Sequence, residues 1–402
     1  MNHPNPVSPI SPERYRARRE QLLALPELAN DHVGFVWWGN AYIFYLTGFA
    51  FVPTERPIAL LINREGKTVL FVPRLEVEHV QAYAHVDEVR SYPEYPDVQH
   101  PLEQLTEIMA ELAMQGGRFY GDGDGYGQIM GYRGPALSSL SKGSFHNAVS
   151  LLDSIMYVKT DDEIALIRAS AYWASYAHRL LQDYTAPGLS ESEVEMRAAF
   201  EAGQALREAY GGTYRALSWG GTGPHAGYRG QIGAHGAMPH SLNINAVFQA
   251  GDTLVTGASC PMFGYYSELE RTMVLGEPSA QQRYYFEHML ALQDLAIDAC
   301  RAGQPCSSVD QKVRAYFEKH DLLAHWRHHV GHNIGVRYHE GPFLDIGDHT
   351  IMEPGMLFTV EPGLYVPGLG GFRHSDTIVV TEGEPEFLTL YPRDLDSLTL
   401  PV

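Results

Sequence analysis

Residues Gly251 to Thr272 read GDTLVTGASCPMFGYYSELERT, and the rest of the chain organises around this stretch. Thr253 to Thr256 follows a Gly-Asp turn as a short strand-like run, and Met273 to Leu275 is a second such run just beyond it. Between them lie Gly257 and the Gly264-Tyr265-Tyr266 turn. Glu268 and Glu270 then stand two apart on an expected strand, so both carboxylates face the same side and can enter one pocket. Two carboxylates that close repel when both are ionised. Such a pair needs a cation between them, or one of them takes a raised pKa.

Helices flank these strands. Thr160 with Glu163, Ser190 with Glu193 and Ser279 with Gln282 each place a hydroxyl three residues before a carboxylate or amide, the pattern that caps a helix start. The helix from Ser279 is expected to run to Gly303. Leu357 to Val360 and Thr377 to Val380 add strand-like runs. Residues 156–402 therefore read as an α+β domain of helices around antiparallel strands. Residues 1–155 read differently. A charged helix spans Pro12 to Leu25, and a buried strand spans Val33 to Trp38. Ile58 to Asn63 and Lys67 to Val72 form a hairpin around Arg64-Glu65-Gly66, and a helix spans Pro101 to Met114. This is an α/β domain, and the boundary falls between Asp153 and Thr160.

A formal charge of −19 over 402 residues disfavours nucleic acid as a partner. The apolar runs are strand-sized, so no membrane span is expected. The first twenty residues lack an apolar core of the kind a leader peptide has. Cys260, Cys300 and Cys306 fit neither a disulfide framework nor a zinc motif and read as reduced, buried thiols, so a cytoplasmic location is expected.

Five places in the second domain concentrate His and Glu beside glycine. They are Met238-Pro239-His240, Glu268 with Glu270, Gly331-His332-Asn333-Ile334-Gly335 leading to His339-Glu340-Gly341, Thr359-Val360-Glu361-Pro362-Gly363, and Gly370-Gly371-Phe372-Arg373-His374-Ser375-Asp376. Singly, each has an ordinary explanation as a surface histidine or a solvated turn. Their order is what matters. GHNIG, HEGPF, TVEPGLY and GGFRHSDT in succession resemble the metal-binding half of the pita-bread metallopeptidases, the family of aminopeptidase P, prolidase and creatinase. The resemblance covers the second domain and implies a creatinase-type N-terminal domain before it.

In that family five residues (two Asp, one His and two Glu) hold a pair of metal ions. Their counterparts here are Gly257, Glu268, His332, Glu361 and Ser375, so two positions have lost any carboxylate. A hydrolytic ion pair needs bridging carboxylates on both ions. The loss resembles creatinase, a metal-free member, and implies a hydrolase that cleaves a non-peptide C–N bond of an amidino or guanidino compound. On that reading there is no cofactor. His240 is the general acid/base, because imidazole titrates near neutrality. Glu270, Glu361 and Glu268 grip a cationic small molecule, while His332 and His339 line the pocket. Arg56, in Thr54-Glu55-Arg56-Pro57, binds a substrate carboxylate in the partner's active site, which implies a homodimer. One alternative is an Xaa-Pro aminopeptidase or dipeptidase with a degenerate site, in which Glu268, His332 and Glu361 hold a single divalent transition metal and His225, His235 and His240 help hold the peptide. Another is a non-catalytic binding protein. The segment from Tyr210 to Tyr228, with Trp219, Gly220, Gly221 and Gly223, is expected to shape the pocket wall or to be a plain loop.

Overall fold

The computed structural model describes residues 6–127, 129–218 and 220–402. They form two units, Ile10–Met156 and Tyr157–Val402, with residues 6–9 joining the second.

The first unit is built on a six-stranded sheet. Its strands lie in the order Glu88–Tyr92, Thr68–Pro73, Ala59–Asn63, His32–Trp37, Arg118–Gly121 and Ser144–Asn147. Ala59–Asn63 and Thr68–Pro73 form the expected antiparallel hairpin. His32–Trp37 pairs parallel with Arg118–Gly121, so the sheet is mixed. The central strands are buried almost without alternation, which explains their continuous apolar runs. Helix Pro101–Glu111 places Leu102, Leu105, Ile108 and Met109 against Val36, Leu61, Phe71 and Phe119 in one core.

The second unit contains an eight-stranded antiparallel sheet with a three-stranded and a two-stranded sheet beside it. Helices Asp161–Tyr184, Glu191–Tyr210, Ala280–Ala299 and Ser307–Lys319 flank the sheets. Capping follows the sequence. Thr160 N–H donates to Glu163 Oε2 at 2.9 Å, Glu193 N–H to Ser190 Oγ at 3.3 Å and Gln282 N–H to Ser279 Oγ at 3.2 Å. Leu181, Val194, Phe286, Met289, Phe358, Phe372 and Ile378 share one apolar core.

Two expectations need correction. The helix from Ser279 ends at Ala299 rather than near Gly303. Gly303 N–H instead donates to Met352 O at 2.8 Å, which draws the chain off the helix axis. Ser307–Lys319 then forms a further amphipathic helix that the sequence reading passed over, with Val309, Val313 and Phe317 buried. Trp219 lies outside the described residues. Among the described residues around it, Gly211–Thr213 form a short 3₁₀ turn, and 214–218 and 220–224 are irregular.

One ion pair staples the sheet where the site is built. Arg271 and Asp376, from the ELERT and HSDT segments, are both fully buried and lie 2.8 Å apart. Arg271 also donates to the carbonyls of Glu270, Ser375, Tyr391 and Pro392 at 2.7–3.1 Å. Asp376 accepts further bonds from Gln293 and Thr389. A buried pair is tolerated when its remaining donors and acceptors are satisfied in this way.

Candidate active site

Neighbouring strands of the eight-stranded sheet each contribute to one site. Gly331–Asn333 carries His332, Leu357–Val360 ends just before Glu361, and Ser375–Val379 opens with Ser375. Leu269–Glu270 and the residue before it supply the two glutamates. Gly257–Ser259 opens with Gly257, and His225–Gly227 leads into Arg229.

A Cβ on Gly331 would lie 1.9 Å from Thr359 O, so only glycine allows the His332 strand to approach its neighbour. A register shift between His332 and Asn333 interrupts the ladder there. Such bulges re-aim side chains beside active sites. Buried Lys159 ties the two His-bearing segments together by donating to Asn333 and to Glu340 Oε2, the latter at 2.9 Å.

Glu268, His332 and Glu361 each offer a ligand atom, and all three atoms lie within 4.8 Å of one another. His332 Nδ1 is 2.9 Å from Asn333 O, which fixes it as a donor and orients Nε2 toward the carboxylates. Nε2 lies 3.3 Å from Glu361 Oε1 and 4.0 Å from Glu268 Oε2, yet neither contact is aligned as a hydrogen bond. Ser375 Oγ donates to Glu268 Oε1 at 2.7 Å.

The charges in this cluster are interdependent. Burial pushes Glu268 up to about 8, and the nearby Glu361 and Glu270 carboxylates add to the rise. Burial alone would lower His332, but Glu361 and Glu268 outweigh it and raise the imidazole to about 9. Glu361 stays ionised, because His332 and Arg373 more than offset its burial. Without a cation, protons on His332 and Glu268 supply the balancing charge. His339 stacks on His332 with ring centroids 3.9 Å apart, and burial together with that neighbour lowers it to about 4.

Beside this cluster the chemistry changes. Arg373 donates to both oxygens of Glu270, at 2.7 Å to Oε1, and Arg229 Nη2 donates to Oε1 at 2.7 Å. Arg373 also donates to Tyr365 Oη at 2.8 Å and lies 3.9 Å from Glu361 Oε2. A Cβ on Gly257 would point at this group, 3.5 Å from Glu270 Oε1 and 3.7 Å from Arg229 Nη2. The donor set therefore does not fit two ions: Gly257 offers no ligand atom, the space before it holds guanidinium, and Ser375 is already bonded to Glu268. It does fit one ion. A buried imidazole nitrogen without a hydrogen-bond partner, set among two carboxylates, is a His-plus-two-carboxylate donor set.

The structure thus brings together Glu268, Glu270, His332, His339 and Glu361. His240 is exposed and makes no hydrogen bond among the described residues, but it lies close enough to His339 to depress its pKa. His225 and His235 are also exposed. Glu270 does not have the free carboxylate expected of a residue that grips a cationic substrate, because two arginines occupy both its oxygens. Arg56 donates to Glu94 at 2.6 and 3.2 Å and to Glu55, all within its own domain. Cys260, Cys300 and Cys306 are free and buried. Sequence reading assigned no role to Arg373 or Arg229. Arg373 stood inside a quoted motif. Arg229 stood in a glycine-rich segment with no periodicity to mark it.

Comparison with known proteins agrees with this fold. Residues 165–382 match the model of metallopeptidase family M24, and residues 29–120 match the creatinase/prolidase N-terminal domain. An uncharacterized peptidase of Staphylococcus aureus strain USA300 is 26% identical over 370 residues, spanning 92% of this chain and 98% of its own. The Xaa-Pro dipeptidase from Bacillus anthracis superposes with a TM-score of 0.79 at 23% identity, covering 96% of this chain and 100% of its own. The dipeptidase PepE from Mycobacterium ulcerans gives a TM-score of 0.79 at 25% identity, covering 98% and 100%. No helix among the described residues is long and apolar enough to cross a membrane. On the strength of the match across its second domain, the chain belongs to metallopeptidase family M24.

Proposed function

We propose that this protein is a hydrolase of short peptides, of the Xaa-Pro dipeptidase class, that works with a single divalent transition metal. The observation that carries this reading is the cluster of Glu268, His332 and Glu361, whose ligand atoms lie within 4.8 Å of one another, with buried His332 Nε2 turned toward both carboxylates by its Nδ1 contact. The names carried by relatives of similar fold, dipeptidase and peptidase, support it. Glu268, His332 and Glu361 would hold the ion, which when bound would supply Lewis acidity for amide hydrolysis. The protein's own groups do the rest. Ser375 holds Glu268 in place through its hydroxyl. His339 remains neutral against His332 and lines the pocket. Exposed His240, beside His339, is free to deliver a proton to the leaving nitrogen.

The creatinase-like reading, metal-free cleavage of an amidino or guanidino compound, keeps one point in its favour: Gly257 and Ser375 stand where carboxylates would bind a second ion. It loses its main substrate grip, because Glu270 is already paired with Arg373 and Arg229. A direct test treats the protein with chelator, then with manganese, cobalt or zinc, and assays Xaa-Pro dipeptides beside creatine and related guanidines. Metal-dependent dipeptide cleavage supports the proposal. Undiminished turnover of a guanidino compound in chelator sinks it.

A further inference from the structure

The glycine at 257 is more than a missing ligand, because its space has an occupant. Arg229 Nη2 and Cζ lie 3.7 and 3.8 Å from where the Cβ of residue 257 would stand. By ordinary bond lengths, an ion held by an aspartate there would sit about 4 Å from that Cβ. The guanidinium thus occupies a second cation's distance from residue 257, and it bonds to Glu270, the nearest carboxylate.

Arg229 is held there at a backbone cost. Its φ is +52°, a left-handed conformation that costs a non-glycine residue on the order of 1 kcal/mol. Such strain clusters at functional sites. The side chain is 47% exposed, although Glu270 beside it is almost wholly buried. Among the described residues only Nη2 donates, to Glu270 and to Gln231 Oε1 at 3.2 Å, so Nε and Nη1 have their N–H groups free.

We propose that Arg229 stands in for the second cation of the family's metal pair and offers its free N–H groups to a carboxylate of the substrate. This rests on the single-ion reading of the site. It narrows the substrate class to short peptides with a free carboxylate near the cleaved bond, since guanidinium matches a carboxylate through two parallel hydrogen bonds.

The test counts metal. Manganese per chain is measured by elemental analysis after loading and dialysis, with melting curves to establish folding. The samples are wild type, G257D/S375E with Arg229 retained, and R229Q/G257D/S375E. The triple variant should hold one more ion per chain than wild type, and the variant that retains Arg229 should hold no more than wild type. A gain with Arg229 present, or no gain in a folded triple variant, overturns the surrogate role. The difference between samples is informative whatever the wild-type count. A wild-type count of zero refutes the single-ion reading alone, and a count of two refutes both. A second measurement uses R229Q, a half-exposed single substitution. Calorimetry should show wild type binding Gly-Pro more tightly than Gly-prolinamide, by on the order of 10- to 100-fold. R229Q should remove most of that preference. Equal affinities in wild type, or no binding of either compound, would overturn the carboxylate role.

Discussion

Replacing Arg271 with Met tests the staple that sets the spacing of the site. The guanidinium is fully buried, and five of its contacts would be lost: Asp376 and the carbonyls of Glu270, Ser375, Tyr391 and Pro392. Breaking a buried ion pair by removing one partner typically costs ~3–5 kcal/mol, because the other charge is left uncompensated. Asp376 would keep Gln293 at 3.0 Å and Thr389 at 2.7 Å, with Arg393 at 3.6 Å, so the lower half of that range is expected. For a domain of this size ~3 kcal/mol corresponds to a fall in Tm of roughly 6–12 °C. Urea unfolding followed by tryptophan fluorescence measures the loss directly. Arg271→Lys should recover part of it, since an ammonium restores charge but not the five-way fork. The same substitution releases Glu270 O and Ser375 O, so the Ser375–Glu268 bond should slacken and the retained metal should fall in parallel. A loss under about 1 kcal/mol would refute the reasoning. It would mean that Arg393 alone neutralises Asp376.

Three further outcomes follow from the site and its supports. His332→Ala removes the imidazole nitrogen that faces Glu268 and Glu361, so metal retained after dialysis should drop to the level of chelated protein; unchanged retention would place the ion elsewhere. Gly331→Ala drives a Cβ to 1.9 Å from Thr359 O, which should cost several times the ~1 kcal/mol of an ordinary substitution and show as a lower urea midpoint. Buried His178, lowered by burial to about 3, and His374, lowered well below the usual histidine range, are neutral in the fold. In the unfolded chain both take up a proton below about pH 6.5. A folded-state pKa below the unfolded one means that stability is lost as pH falls, by about 1.4 kcal/mol per histidine at pH 5.5. His374→Leu should flatten the change in urea midpoint between pH 7.5 and 5.5, and an unaltered slope would show that His374 is protonated in the fold.

Much of this protein was legible along the chain because it is encoded locally. The helix starts at Thr160, Ser190 and Ser279, the hairpin around Gly66, and the order of the GHNIG, VEPG and GGFRHSD segments depend on neighbouring residues or on motif spacing. So does the loss of a ligand at Gly257, since glycine has no side chain wherever it lies. What filled that loss was not legible. Arg229 reaches residue 257 from a segment some thirty residues earlier, brought there by the pairing of His225–Gly227 with Gly257–Ser259. Glu270 reads as a free carboxylate until the sheet sets Arg373 and Arg229 against it. His332 likewise reads as one histidine among 19, and becomes the residue on which the site turns only when burial and the Asn333 carbonyl leave its Nε2 facing two carboxylates. Sequence determined which groups were available and in what order. Burial and strand register decided which of them are neutralised and which remain open, because charge pairing depends on distance and local dielectric, and neither is a property of the chain taken residue by residue.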